Sequence, residues 1–206
     1  MIAVAAPSAP SALVIASHYC RLQQRLDAKG ALFDPSWGCA ANSRADRLAW
    51  VDALHARTAP GTACERLFCD PLERLMLLAP PTLQKLFCAV VLQSRREQFR
   101  RCIDGPKVRA LHVLIGSEAM QAIRSSRTIY PEIHASTDWG IPTLLAEAFG
   151  HFERAGCPAQ ALVASYVRIG LPMQLPAVAT GYDSATFRSL LRETHHFFPE
   201  LKWLFG

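Results

Sequence analysis

No run of apolar residues in this sequence approaches the roughly 20 needed to cross a bilayer, which argues against a membrane-spanning chain. Charge is scarce as well: 19% of residues are Asp, Glu, Lys or Arg, whereas 50% are apolar. That balance excludes a disordered polar chain. With a mean hydropathy of +0.12, it supplies a sizeable core and leaves apolar surface to offer a partner. Catalytic signatures are missing too. There is no HExxH, no GxSxG, and no phosphate loop of the GxxxxGK[ST] or GxGxxG kind. Cys64 and Cys69 lie five apart and His195 and His196 are adjacent, neither of which gives the paired ligand spacing of a structural zinc site. No catalytic residue, cofactor or metal ligand is therefore assigned, and the expectation is a protein that is not an enzyme. The 7 cysteines are odd in number and sit among ordinary helical positions, which suits free thiols in a reducing cytoplasm better than a disulfide framework.

What the chain does contain is helical punctuation. Residues 1–17 are apolar and Ala-rich, but they lack a basic opening and carry Pro7 and Pro10. They are expected to be a flexible leader and not a secretory signal, ahead of a single helical domain over 18–206. His18 to Ala28 carries a Tyr19, Leu22 and Leu26 stripe. Asp34-Pro35-Ser36 and Gly38 mark a connector, and a short helix is expected near Arg44 to Ala56. The sharpest start is at Asp70, with Pro71 in the first turn and Glu73 at the capping-box position. Leu72, Leu75, Met76 and Ala79 then form the predicted stripe up to Pro80-Pro81. From there Leu83, Leu86, Phe87 and Val90 predict a long helix to about Ile103. Asp104-Gly105-Pro106 opens the next helix, Gly116 closes it, and Ser117 begins a short one with Ala119, Met120 and Ile123. After a connector over 125–140, Pro142 and Pro158 open two more. A last helix is expected over about 184–195, burying Phe187, Leu190 and Leu191. No strand–helix alternation and no fixed-period repeat occurs. The fold class that follows is all-α, an orthogonal bundle of about eight to nine short-to-medium helices.

The formal charge is +5, and residues 94–109 alone carry +4, from Arg95, Arg96, Arg100, Arg101, Lys107 and Arg109 against Glu97 and Asp104. Two readings compete for Arg95, Arg96, Arg100 and Arg101. They complement the dipole at the end of a long helix, or they form a basic surface that docks an acidic protein partner. Residues 106–127 also carry the outline of a helix-turn-helix DNA-binding regulator, although Glu118 and Gln121 are poor base readers and Glu118 repels phosphate. The aromatic tail Phe197 to Phe205 is expected to close the core, with an exposed anchor as the alternative.

From Asp70 to Ile123 the order of features resembles the SctK (YscK/HrpB-type) family of type III secretion accessory proteins, in particular the version found in plant pathogens. A helix pair broken at Pro80-Pro81 leads to Arg100-Arg101, then to an Ile103-Asp104-Gly105 turn. A helix with Val108 and Leu111 follows, then Gly116 and a short helix. Residues 156–172 are similar to that family's late helix with its Leu-Pro exit, and Asp34-Pro35-Ser36-Trp37 is similar to an N-terminal element in which His-Pro usually precedes Ser. The resemblance implies a non-enzymatic cytosolic adaptor of the sorting platform. Its partners would be the cytoplasmic domain of an inner-membrane ring protein and an SctQ-type pod protein. Nucleic acid and direct membrane insertion would play no part, and membrane proximity would come through those partners.

Overall fold

The computed structural model describes residues 12–27, 33–39, 56, 67–102, 104–126, 138–157, 159–178 and 184–205. Among them are nine α-helices: α1 (Ala12–Asp27), α2 (Ser36–Cys39), α3 (Pro80–Ser94), α4 (Arg96–Arg100), α5 (Gly105–Ile115), α6 (Ser117–Ser125), α7 (Ile141–Ala155), α8 (Gln160–Ile169) and α9 (Ser184–Glu193). Three 3-10 segments join them, Glu73–Leu77, Thr194–His196 and Pro199–Leu204, and no strand occurs among the described residues. The protein is all-α, as its punctuation predicts.

The hub is α3. Leu86 through Ser94 are all buried, the expected state of a helix apolar on every side. It packs most extensively on α7, and further on α5, α6 and α9. Phe87 meets Phe152 of α7 with ring centroids 6.3 Å apart. Gly170, just after α8, lies so close to α3 that a Cβ there would come within 2.9 Å of Leu83 Cδ2. The 3-10 turn at 73–77 forms a second floor on which α1 and α8 rest. The aromatic tail folds inward: Phe198, Leu201 and Leu204 are buried, completing the core.

Local chemistry explains most boundaries. The Asp104 carboxylate accepts from Lys107 N–H at 3.2 Å and so caps α5, with Pro106 in the first turn. Gly116 has φ 93°, a backbone that L side chains resist, and it separates α5 from α6 in one residue.

Three boundaries differ from expectation. Residues 12–17, read as leader, form the opening turns of α1. Ala and Leu favour the helix there, and the Ser17 hydroxyl donates to Val14 O at 2.8 Å. The predicted capping box does form: Asp70 N–H donates to Glu73 Oε2 at 3.2 Å and Leu72 N–H to Asp70 Oδ1 at 2.9 Å. Yet it opens a 3-10 turn and not an α-helix, because Glu73 and Arg74 are both drawn into the interior. The long helix breaks at Arg95, with φ −104° and ψ 24°, where the Ser94 hydroxyl donates to Val91 O at 2.7 Å. The predicted helix near Arg44–Ala56 and most of the connector over 125–140 lie outside the described residues.

Candidate interaction site

The arginine cluster resolves into separate structural jobs. Arg95 turns into the core, where its Nη1 pairs with Glu147 Oε2 of α7 at 3.0 Å, each side chain only 1% exposed. Its guanidinium also stacks over the Trp139 ring, 4.2 Å from the centroid. The other Glu147 oxygen lies 3.9 Å from His151 Nε2, one turn along α7. Beside this group, Gln93 Nε2 donates to Glu193 Oε2 at 2.5 Å, tying α3 to α9.

Arg96 is 6% exposed. It donates to Glu97 Oε1 at 2.8 Å and to the backbone carbonyl of Ser126. Arg100 donates to Arg124 O at 2.8 Å and to Glu97 Oε1 at 2.9 Å. These two guanidiniums thus cap the last carbonyls of α6, where positive charge offsets the helix dipole. The four arginines do not share one exposed face among the described residues. Arg95 and Arg96 are interior, Arg100 is exposed but engaged, and Arg101 alone presents an exposed side chain with no bond among the described residues.

The helix-turn-helix outline exists as a hairpin of α5 and α6 about Gly116. Ala119, Met120 and Ile123 face the core, while Ser117, Glu118, Gln121 and Ser125 face out. Arg124 is half-buried with its guanidinium 4.9 Å from the Phe99 centroid. On α6 the one fully exposed formal charge, Glu118, is therefore negative, the wrong sign for phosphate.

Lys107 does a job that the sequence did not reveal. Its ammonium bridges Asp104 Oδ2 at 3.4 Å and Asp138 Oδ1 at 2.7 Å. Asp138 also accepts from Thr143 Oγ1 at 2.5 Å and Gly140 N–H at 3.1 Å. The Lys107 ammonium first, and then these two donors, hold the Asp138 carboxyl well below the usual carboxylate range. One lysine so links the caps of α5 and α7.

Two motifs read separately in the sequence meet in space. Asp34 N–H donates to Ile169 O at 2.8 Å, and Trp37 Nε1 donates to Leu171 O at 2.8 Å. The Asp34 carboxylate accepts from Ser36 N–H at 2.9 Å, Ser36 Oγ at 2.5 Å and Gln84 Nε2 at 2.6 Å. Gln84 also reaches Gly170 O at 3.1 Å, and Met173 N–H donates to Ser36 Oγ at 2.9 Å. The Asp34–Trp37 element and the Leu171-Pro172 exit therefore form one clasp over the end of α8.

On the opposite rim of α3 lies a shallow groove of about 630 Å³, lined by Pro81, Thr82, Lys85, Ala110, Val113, Leu114 and Ile141. Val113 is 88% exposed. Lys85 is its one charged lining residue, 3.2 Å from Glu200 Oε1 and 4.3 Å above the Phe198 ring. Nothing in the sequence singled out this groove, because Val113 falls between the positions of the α5 stripe.

Reactive chemistry is sparse. Among the described residues no group of three or more His, Cys, Asp or Glu is placed to hold a metal ion. Burial raises the Cys88 thiol far above its ordinary value. Burial, with the nearby Glu73 and Asp70 carboxylates, pushes Cys157 up to about 12. Both thiols stay protonated and weakly nucleophilic. No helix among the described residues is long and apolar enough to cross a membrane.

No curated protein and no solved structure matched the chain. The family model described as Bacterial type III secretion protein (HrpB4) matches residues 14–200, from the first turn of α1 into the final 3-10 segment. That span reaches every described helix, cutting only the first residues of α1 and the end of the final 3-10 segment, and the chain belongs to the HrpB4 family of bacterial type III secretion proteins.

Proposed function

We propose that this protein is a non-enzymatic cytosolic adaptor of a type III secretion system. In this reading it joins the cytoplasmic domain of the inner-membrane ring protein to the SctQ-type pod protein of the sorting platform, and it reaches the membrane only through those partners. The observation that carries the reading is the family match over residues 14–200, which coincides with the bundle itself. Two further features support it. The buried ionisable groups are spent on packing and capping, as with Arg95–Glu147 and the α6 caps. The largest apolar side chain left outside the core on a mid-helix position, Val113, sits over an open groove suited to a protein partner.

An affinity pull-down of the tagged protein from its own cells, with bound proteins identified by mass spectrometry, tests this. Stoichiometric ring and pod proteins with little nucleic acid are expected. Recovery of DNA, or of no secretion component, would refute it.

A further inference from the structure

We infer that the groove between α3 and α5 docks an amphipathic helix from a protein partner, one with an aliphatic face and a carboxylate beside it. The inference rests on the adaptor reading above and specifies the chemistry of one of its partners.

The shape argues for a helix. The floor and walls come from three helices: the first turns of α3 (Pro81, Thr82, Lys85), the outer face of α5 (Ala110, Val113, Leu114) and the start of α7 (Ile141). Five of these seven residues are apolar, and Pro81, Ala110 and Val113 are exposed. A concave apolar channel between helices is what receives the i, i+3, i+4, i+7 anchors of a docked helix. A flat lipid surface is instead met by protruding apolar side chains.

Charge selects the partner. No acidic residue lines the groove, and its one charged lining group, Lys85, is already paired with Glu200 at 3.2 Å, which leaves the selecting charge to the rim. Just outside, the exposed Arg109 precedes Ala110 and lies one turn before Val113. Within residues 94–109 most other cations are already engaged: Arg95 by Glu147, Arg96 and Arg100 by Glu97, and Lys107 by Asp104 and Asp138, while the exposed Arg101 lies beyond the end of α4 and does not line the groove. Arg109 makes no ion pair among the described residues, so the α5 rim presents positive charge to whatever enters. A partner carboxylate one turn from its aliphatic anchors would meet it.

A second copy of this chain is a poor occupant on the same ground. Among the described residues its other exposed large apolar side chains are Leu13, Val14 and Met173. Leu13 and Val14 belong to α1, which carries Arg21 and Arg25 and no carboxylate before Asp27. Met173 lies under the Arg168 guanidinium, which donates to its carbonyl. Self-docking would set cation against cation.

The test places photoreactive benzoylphenylalanine at Val113 of the full chain, irradiates cells that make the secretion system, and maps the linked peptide. Expected is a helical segment of a secretion-system protein, with aliphatic residues at helical spacing and a carboxylate within one turn. In parallel, Val113→Asp, Ala110→Trp and Arg109→Glu are compared with wild type for recovery of that same protein. Each should lower recovery by about tenfold or more, with thermal unfolding unchanged because all three positions face solvent.

Linkage to this chain itself, to lipid, or to a segment without a carboxylate would overturn the inference. So would full recovery by all three variants, which leaves the adaptor reading standing. A wild-type protein that recovers no secretion component removes both.

Discussion

Replacing Arg95 with methionine separates a surface arginine from a structural one. As part of an exposed patch, Arg95 could be changed for within about 0.5 kcal/mol. In the structure its guanidinium is sealed between Glu147 at 3.0 Å and the Trp139 ring at 4.2 Å, with both partners of the ion pair 1% exposed. Removing one member leaves Glu147 charged in a site closed to water, and breaking such a pair costs about 3–5 kcal/mol. That is about a fifth or more of the roughly 5–15 kcal/mol that holds a typical domain together. Equilibrium urea unfolding, followed by far-ultraviolet circular dichroism, would read it as a large fall in the midpoint. Glu147→Leu alone should cost about as much, since Arg95 is then the stranded charge. The double variant Arg95→Met with Glu147→Leu removes both charges and fills the space with hydrocarbon. It should recover to within about 2 kcal/mol of wild type, so that the cycle shows strong coupling. An Arg95→Met protein as stable as wild type, or single costs that simply add, would refute the reasoning.

Other consequences are as direct. His18 is 2% exposed between Phe68 and Trp203, its ring nitrogens have no hydrogen-bond partner among the described residues, and burial with the nearby Arg74 and Arg21 lowers its pKa from 6.5 to about 4. The unfolded chain then takes up the proton first, so stability present above pH 6.5 is lost as pH falls towards 4. That loss is about 3 kcal/mol. Unfolding midpoints of wild type and His18→Phe between pH 7 and pH 4 check this, and the variant should lose that component. Gly116→Ala has open space for its methyl group but must hold φ near 93°, and should cost about 1–2 kcal/mol in urea unfolding. Asp34→Ala strands Ser36 N–H and Gln84 and should cost about 1–3 kcal/mol. It should also raise proteolysis at the exit of α8, measured by limited digestion.

The elements that were legible in the sequence announce themselves locally. Asp104-Gly105-Pro106 is a cap and a start wherever it falls, and Gly116 punctuates α5 because one residue supplies the required backbone. The arginines were not legible, because burial of Arg95 depends on a carboxylate 52 residues away. A signal for it did exist. Glu147 and His151 fall on the same face of α7 as Leu144, Ala148, Phe152 and Ala155, and two ionisable groups in an apolar stripe demand a partner. The 3-10 turn after Asp70 illustrates a different limit. Its capping chemistry is compatible with either helix type, and the choice is made by what Glu73 and Arg74 meet inside. Arg74 Nε reaches Phe68 O at 3.0 Å and its Nη1 reaches Leu204 O at 2.8 Å, a contact set by the far end of the chain. The groove stayed hidden for a simpler reason: an exposed valine on a helix is common, and its neighbours Pro81 and Ile141 come from other elements.

The clasp over α8 also bears on how the protein is made. The bond from Trp37 to Leu171 spans 134 residues. At about 5–20 residues per second of synthesis, the Asp34–Trp37 element is translated roughly 7–27 s before its acceptor. During that interval the indole and the Asp34 N–H have no native acceptor, while the segments carrying α3 to α7 emerge behind them. Packing among α3 to α7 can therefore begin with this strap undocked, and chaperone binding to the waiting segment would delay closure of the end of α8 without blocking those first contacts of the hub.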